Sequence, residues 1–239
     1  AYARGSRQAP IARHGTQLGA AFSSMRYELG EEFAGLDAHG TANIATLFAT
    51  HPLVRSRQAN LHAQLAFDAK RLQDRVDSTR TETNRRVQSL TVGLSGDRSD
   101  GFGGGGAWLF SASHTQGRLA IDSADARAFD ELTARTAGSY GKSSFALVRQ
   151  QALAGGTLVL SYTGQWSGGN LDSSEKLPLG GVTAVRAYPQ GEAPSDRASL
   201  LTVEWRGTLA PQWQGLLFLD AATGIANGGP GPGGGGGRG

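Results

Sequence analysis

The sequence predicts an all-β chain, an antiparallel up-and-down transmembrane β-barrel left incomplete at about nine strands, and three observations lead there. Apolar and polar residues alternate over short segments, the period of a strand with one greasy face. No run of about eighteen apolar residues is present, so a membrane could be crossed only by strands. Connections between the segments alternate short and long, as they do when turns gather at one end of a barrel and loops at the other.

The candidate strands are Thr16 to Leu29, Thr41 to His51, Ala59 to Arg71, Arg86 to Asp97, Gly104 to Gln116, Gly138 to Gln151, Gly156 to Ser167, Ser199 to Gly207 and Gln214 to Ala222. The clearest phase is at Asn60 to Asp68: Leu61, Ala63, Leu65 and Phe67 share one face, His62, Gln64 and Asp68 the other. A charge at the bilayer midplane costs about 2–4 kcal/mol, so the apolar set faces outward. The same parity puts Leu90, Val92 and Leu94 outward, then Trp108, Phe110 and Ala112, then Phe145 and Leu147. Leu158, Leu160, Tyr162 and Trp166 oppose Thr157, Ser161, Thr163 and Gln165, and Leu201, Val203 and Trp205 oppose Thr202, Glu204 and Arg206. The first strand changes phase between Phe22 and Met25, which predicts a bulge near Ser24 or emergence from the membrane there.

Long polar connections are expected at Gly30 to Gly40, Leu72 to Arg85, Gly117 to Ala137 and about residues 169–198, with a short helix over Ser123 to Thr133. Short ones are expected at Pro52 to Gln58, Arg98 to Gly103, Ala152 to Gly155 and Thr208 to Trp213. A sandwich would not give that regular asymmetry. Bacterial single-chain barrels have even strand counts, so nine strands would leave two open edges.

Composition narrows the function classes. With no Cys there is no disulfide framework and no thiolate site. A net charge of +3, with arginines scattered along the chain, is too mild for nucleic acid. His14, His39, His51, His62 and His114 fall one to a segment, so no metal site is expected. Gly141-Lys142-Ser143 ends like a phosphate-binding loop, but Thr136 stands where the earlier glycine belongs. Neither an enzyme nor a cofactor is expected.

Residues 1–15 have no apolar core or cleavage pattern and are expected to be an N-terminal segment of an internal fragment whose leader lies upstream. Residues 16–225 form the partial barrel, and the Gly/Pro-rich stretch 226–239 is expected to be disordered, the product of a frameshift or truncation.

The connection over about residues 169–198 carries further motifs. Leu179-Gly180-Gly181, then Val185-Arg186-Ala187-Tyr188, then Ser195-Asp196-Arg197, precede a strand with Glu204; Leu217-Phe218-Leu219-Asp220 follows. This order resembles the sixth extracellular loop and the F-x-D-x-G strand of the two-partner secretion transporters, the hemolysin secretion/activation proteins of the Omp85 superfamily. Ala187 and Ala222 stand where that pattern has glycine, so the backbone there must manage without one.

The resemblance implies a re-entrant loop, a location in the cell outer membrane, and a barrel of roughly sixteen strands, of which this chain holds about the fifth to thirteenth. It also implies two upstream POTRA modules that recruit the substrate by strand addition, and a partner exoprotein, such as a hemolysin or adhesin, moved to the surface without nucleotide hydrolysis. The complete barrel is expected to be monomeric in outer-membrane lipid.

Asp220 must face the polar interior, and Phe218 shares its face. The loop tip is therefore expected to bring Arg186 to Asp220 and Tyr188 to Phe218. Glu204 and Arg206 either extend that ionic network or are two wetted lumen residues; Asp196 and Arg197 either shape the loop's return or are solvated. A passive porin or uptake channel would share the wall without needing the Arg186–Asp220 lock, and a nonfunctional gene remnant would need neither.

Overall fold

The computed structural model describes residues 1–11, 14–28, 38–79 and 81–228. Ten strands run in chain order: β1 Tyr2–Pro10, β2 Gln17–Glu28, β3 Ala38–Arg55, β4 Ala59–Val76, β5 Thr81–Asp100, β6 Gly106–Ile121, β7 Gly138–Leu153, β8 Gly156–Ser167, β9 Arg197–Ala210 and β10 Trp213–Ile225. Every neighbour in sequence is an antiparallel neighbour in one ten-stranded sheet, and β1 and β10 are each paired on one side only.

The expected count of nine is one short, because Tyr2–Pro10 is an edge strand. Its sequence YARGSRQAP lacks alternation and ends on proline, which a sheet tolerates at an edge. Further along, the parities hold: Leu47, Leu65, Phe67, Leu90, Val92, Leu94, Phe110, Leu147, Leu201, Leu217 and Leu219 are all exposed on the outward face.

One connection and one strand differ from expectation. The long polar stretch Leu72 to Arg85 is mostly strand, with only residues 77–80 between β4 and β5. Polar pairs continue the ladder there, Gln73 opposite Asn84 and Arg75 opposite Glu82 at 2.6 Å, so the alternation fades while the hydrogen bonding does not. No bulge interrupts β2 at Ser24; the ladder with β3 runs unbroken from Gln17 to Glu28. Met25 and Tyr27 lie on the inward parity at the loop end, and the Tyr27 hydroxyl donates to Asp74. Leu29, most of the connection Gly30 to Gly40 and the tail from Gly229 lie outside the described residues.

The expected helix is α1, Ala124–Leu132, between β6 and β7; the Ser123 hydroxyl caps it, accepting from the Ala126 amide at 3.1 Å. At the other end the turn after β5 needs glycine: Gly103 and Gly104 sit at φ 58° and 97°, and the Gln151 amide ties their loop to β7.

Loop contacts reveal the curvature of the sheet. Neighbouring strands lie about 4.8 Å apart, so β4 and β7 would be about 14 Å apart if flat. One carboxylate, Glu175, nevertheless reaches Lys70 on β4 at 2.5 Å and Lys142 on β7 at 3.0 Å. The sheet therefore curls around the connection between β8 and β9. In the hollow, Ala42, Leu72, Val87, Leu119, Ile121 and Tyr140 from the strands pack with Leu171 from the connection into an apolar cluster of buried side chains. Glycine allows the close approach: a Cβ on Gly117 would lie 2.4 Å from the Tyr140 ring on the next strand.

Candidate functional site

The connection from residue 168 to 196 is a folded insert with a root and a tip. At the root, Leu171 is 1% exposed in the apolar cluster. Asp172 caps a short turn, Ser173–Glu175, by accepting from Ser174 N at 3.0 Å, and it also pairs with Arg85, which holds Asp74 as well. The Glu175 backbone carbonyl receives Lys142 Nζ at 2.8 Å and the Gln165 amide at 3.2 Å. Burial alone would push the Glu175 carboxyl up, but the adjacent Lys142 and Lys70 outweigh it and hold it below the usual carboxylate range.

The insert returns through Asp196, whose side chain is fully buried. That carboxylate accepts from Leu171 N at 3.0 Å and Gly228 N at 3.1 Å, and pairs with Lys176 at 3.2 Å. Arg197 donates to the Ser167 carbonyl at 2.9 Å, which closes the mouth of the insert. Between root and tip, Leu177 bridges Ser195 and Gly180 bridges Val185. Gly224 on β10 is needed where the insert lies against the wall, since a Cβ there would meet Ser195 Oγ at 2.4 Å and Leu179 Cδ1 at 2.6 Å.

At the tip, Arg186 Nε donates to Asp220 Oδ2 at 2.8 Å and Nη2 to Oδ1 at 2.9 Å, a two-pronged pair. Its Nη1 donates to Glu204 Oε2 at 2.6 Å, and its backbone N–H also reaches Asp220, at 3.2 Å. Strand pairing makes this possible, because Phe218 lies opposite Glu204 and both share the inward parity of Asp220. Arg206 joins from the same strand as Glu204, donating Nε to Oε1.

Of the residues singled out in the sequence, Arg186, Asp220, Glu204 and Arg206 come together, and Asp196 and Arg197 lie at the root. Phe218 is covered differently from expectation: the Arg186 guanidinium lies 3.6 Å from its ring centroid, while Tyr188 is 57% exposed. Val185 serves through its backbone, donating to Leu179 O and accepting from Gly181 N. Ala187 is absent from the positive-φ positions, so no glycine is needed there for backbone reasons. Ala222 lies within the regular ladder of β10.

Sequence reading missed the Glu175–Lys70–Lys142 node and the Asp74–Arg85–Asp172 chain. Inward parity was available as a signal for Lys70 and Arg85, but nothing local says that a loop some hundred residues away supplies the acid. Among the described residues no group of three or more His, Asp or Glu side chains gathers as a metal site, and no helix is long and apolar enough to cross a membrane.

The family model for the haemolysin secretion/activation protein ShlB/FhaC/HecB matches residues 4–225. The chain belongs to this family. The heme/hemopexin transporter protein HuxB of Haemophilus influenzae is 25% identical over 194 residues, 81% of this chain and 34% of HuxB. Among solved structures, CdiB from Escherichia coli superposes with a TM-score of 0.69 at 18% identity, over 87% of this chain and 39% of that one. CdiB from Acinetobacter baumannii gives 0.70 at 18% identity, over 98% and 41%. The chain thus spans about a third of the curated relative's length, and the ten-stranded sheet has the fold of part of a ShlB/FhaC/HecB-type barrel.

Proposed function

We propose that this chain forms the wall and re-entrant loop of an outer-membrane translocator that passes a partner exoprotein to the cell surface. The observation that carries it is the clamp on Arg186, which ties the loop tip to two strands on the inward face. One arginine and two carboxylates give the insert's tip a defined seat on the wall. A translocator needs a seal that opens for an unfolded chain, and an ionic clamp reached through a hairpin can open without dismantling the wall. The long connections then face outward and the short turns the periplasm.

The inward row beside the tip, where Ser161, Thr163, Thr202, Glu204 and Arg206 alternate with the apolar Val159 and Leu200, suits an extended polypeptide, because donors and acceptors interrupt the apolar surface. The Arg186–Asp220–Glu204 clamp acts as the loop lock in this reading, and Asp196 with Arg197 acts as its hinge. The test is Arg186→Ala in the intact transporter, with exoprotein collected from the medium and conductance recorded in planar bilayers. The expected result is a large loss of secretion and a noisier, more open channel; secretion and conductance both unchanged would remove the lock.

A further inference from the structure

The outward face carries a second pattern, a row of arginines at the loop end. On β2, β4 and β5 an exposed arginine stands four residues beyond an exposed apolar side chain on the same face: Phe22 and Arg26, Phe67 and Arg71, Leu90 and Arg86. Four strand residues are about 13 Å, so each guanidinium stands beyond the apolar residue of its own strand; through β3 the ladder sets Arg26 level with Gln73, two residues past Arg71. Arg118 on β6 adds a fourth, diagonal to Arg86, since its direct partner is Gln88.

The row is charged beyond what the protein neutralises. Arg71 and Arg86 are direct cross-strand partners, an arrangement that like charges disfavour. Arg86 has Asp122 at 2.6 Å. Arg26, Arg71 and Arg118 have no carboxylate within ion-pair distance among the described residues.

We propose that Arg26, Arg71 and Arg118, with Arg86 beside them, bind the phosphate-bearing headgroup of a membrane lipid in the leaflet at the loop end. This rests on the membrane-barrel reading above. The guanidinium fork matches phosphate oxygens in pairs, and an anion between Arg71 and Arg86 would convert their repulsion into two attractions. A lipid is favoured over a free phosphate by continuity. Acyl chains lying along Phe22, Phe67 and Leu90 place a headgroup at the arginines, whereas inorganic phosphate gains nothing from the belt.

The test uses the intact transporter inserted in phosphatidylcholine vesicles containing a minor fraction of a phosphorylated glycolipid, then extracted gently and assayed for retained lipid by native mass spectrometry. Wild type is expected to keep the phosphorylated lipid, and the triple variant Arg26→Gln, Arg71→Gln, Arg118→Gln to lose it roughly tenfold or more, with phosphatidylcholine retention equal in both. Equal retention of the phosphorylated lipid by the two inserted proteins overturns the site, as does its full displacement by inorganic phosphate. Insertion is scored separately, by protease resistance in pure phosphatidylcholine vesicles: failure to insert there overturns the barrel reading and this proposal with it, whereas normal insertion with equal retention overturns this proposal alone.

Discussion

Arg186 and Asp220, 34 residues apart in sequence, meet through both prongs of the guanidinium and through the Arg186 backbone amide. Three donors on one carboxylate fix the orientation of the tip as well as its position. Lysine could supply only a point charge at the same place.

The two substitutions at this position should therefore differ. Arg186→Ala is expected to release the tip, with proteinase K cutting residues 178–194 roughly tenfold faster in the inserted protein than in wild type. Arg186→Lys is expected to fall between the two. Equal cleavage of Lys and Ala variants would show that charge alone does nothing here, and equal cleavage of all three that the tip is held by other contacts.

The root should respond to Glu175→Gln. With Lys70 and Lys142 left facing a neutral amide, the loss is expected to be about 3 kcal/mol, measurable as a lowered urea midpoint of the folded protein in detergent. An unchanged midpoint would mean that the two lysines find solvent without cost.

The same residue sets a pH window. The Glu175 carboxyl is held below its ordinary value of 4.5 in the folded protein. A lowered folded value means its stabilisation is complete above that ordinary value and is lost as pH falls through the folded one. Stability should thus be flat, as far as this group decides it, from about pH 7 to about pH 5 and drop below that; the Glu175→Gln variant should lack this component. A drop of the same size in both proteins would assign it to other acids.

Asp196→Ala should be more damaging than its loop position suggests. It would leave the Leu171 and Gly228 amides and the Lys176 ammonium without their shared acceptor in a fully buried place, for an expected cost of about 3–5 kcal/mol. Asp196→Asn keeps one acceptor oxygen and is expected to cost less. Thermal unfolding followed by heat-modifiable mobility on gels would rank the two; identical behaviour would rule out the charge as the important part.

Gly117→Ala probes the wall itself. The added methyl would sit 2.4 Å from the Tyr140 ring, and Tyr140 belongs to the apolar cluster, so the ring must shift against buried neighbours. The expected loss is about 1–3 kcal/mol by the same gel assay. Full wild-type stability would mean that the ring has room to turn.

Strand parity was legible because one face of each central strand must be apolar, and Leu61 to Asp68 shows that plainly. Tyr2–Pro10 was not legible: an exposed edge strand has no apolar face to announce it. The loop-end halves of β4 and β5 hid for a similar reason, since their outward face turns polar at Gln73, Arg75, Glu82 and Asn84. At the site, Arg186 and Asp220 were found through motifs, whereas Glu175 was not. Its partners Lys70 and Lys142 lie on strands three apart, and only the curl of the sheet brings them to one carboxylate.

That curl also orders assembly in time. Each wall strand pairs with its neighbour in sequence, so the wall can zip hairpin by hairpin with short loop closures. Glu175 must instead find Lys70 across 105 residues, and Asp172 must find Arg85 across 87. Seating the insert thus closes the longest loops, and it requires the strands that carry Lys70 and Arg85 to be in place.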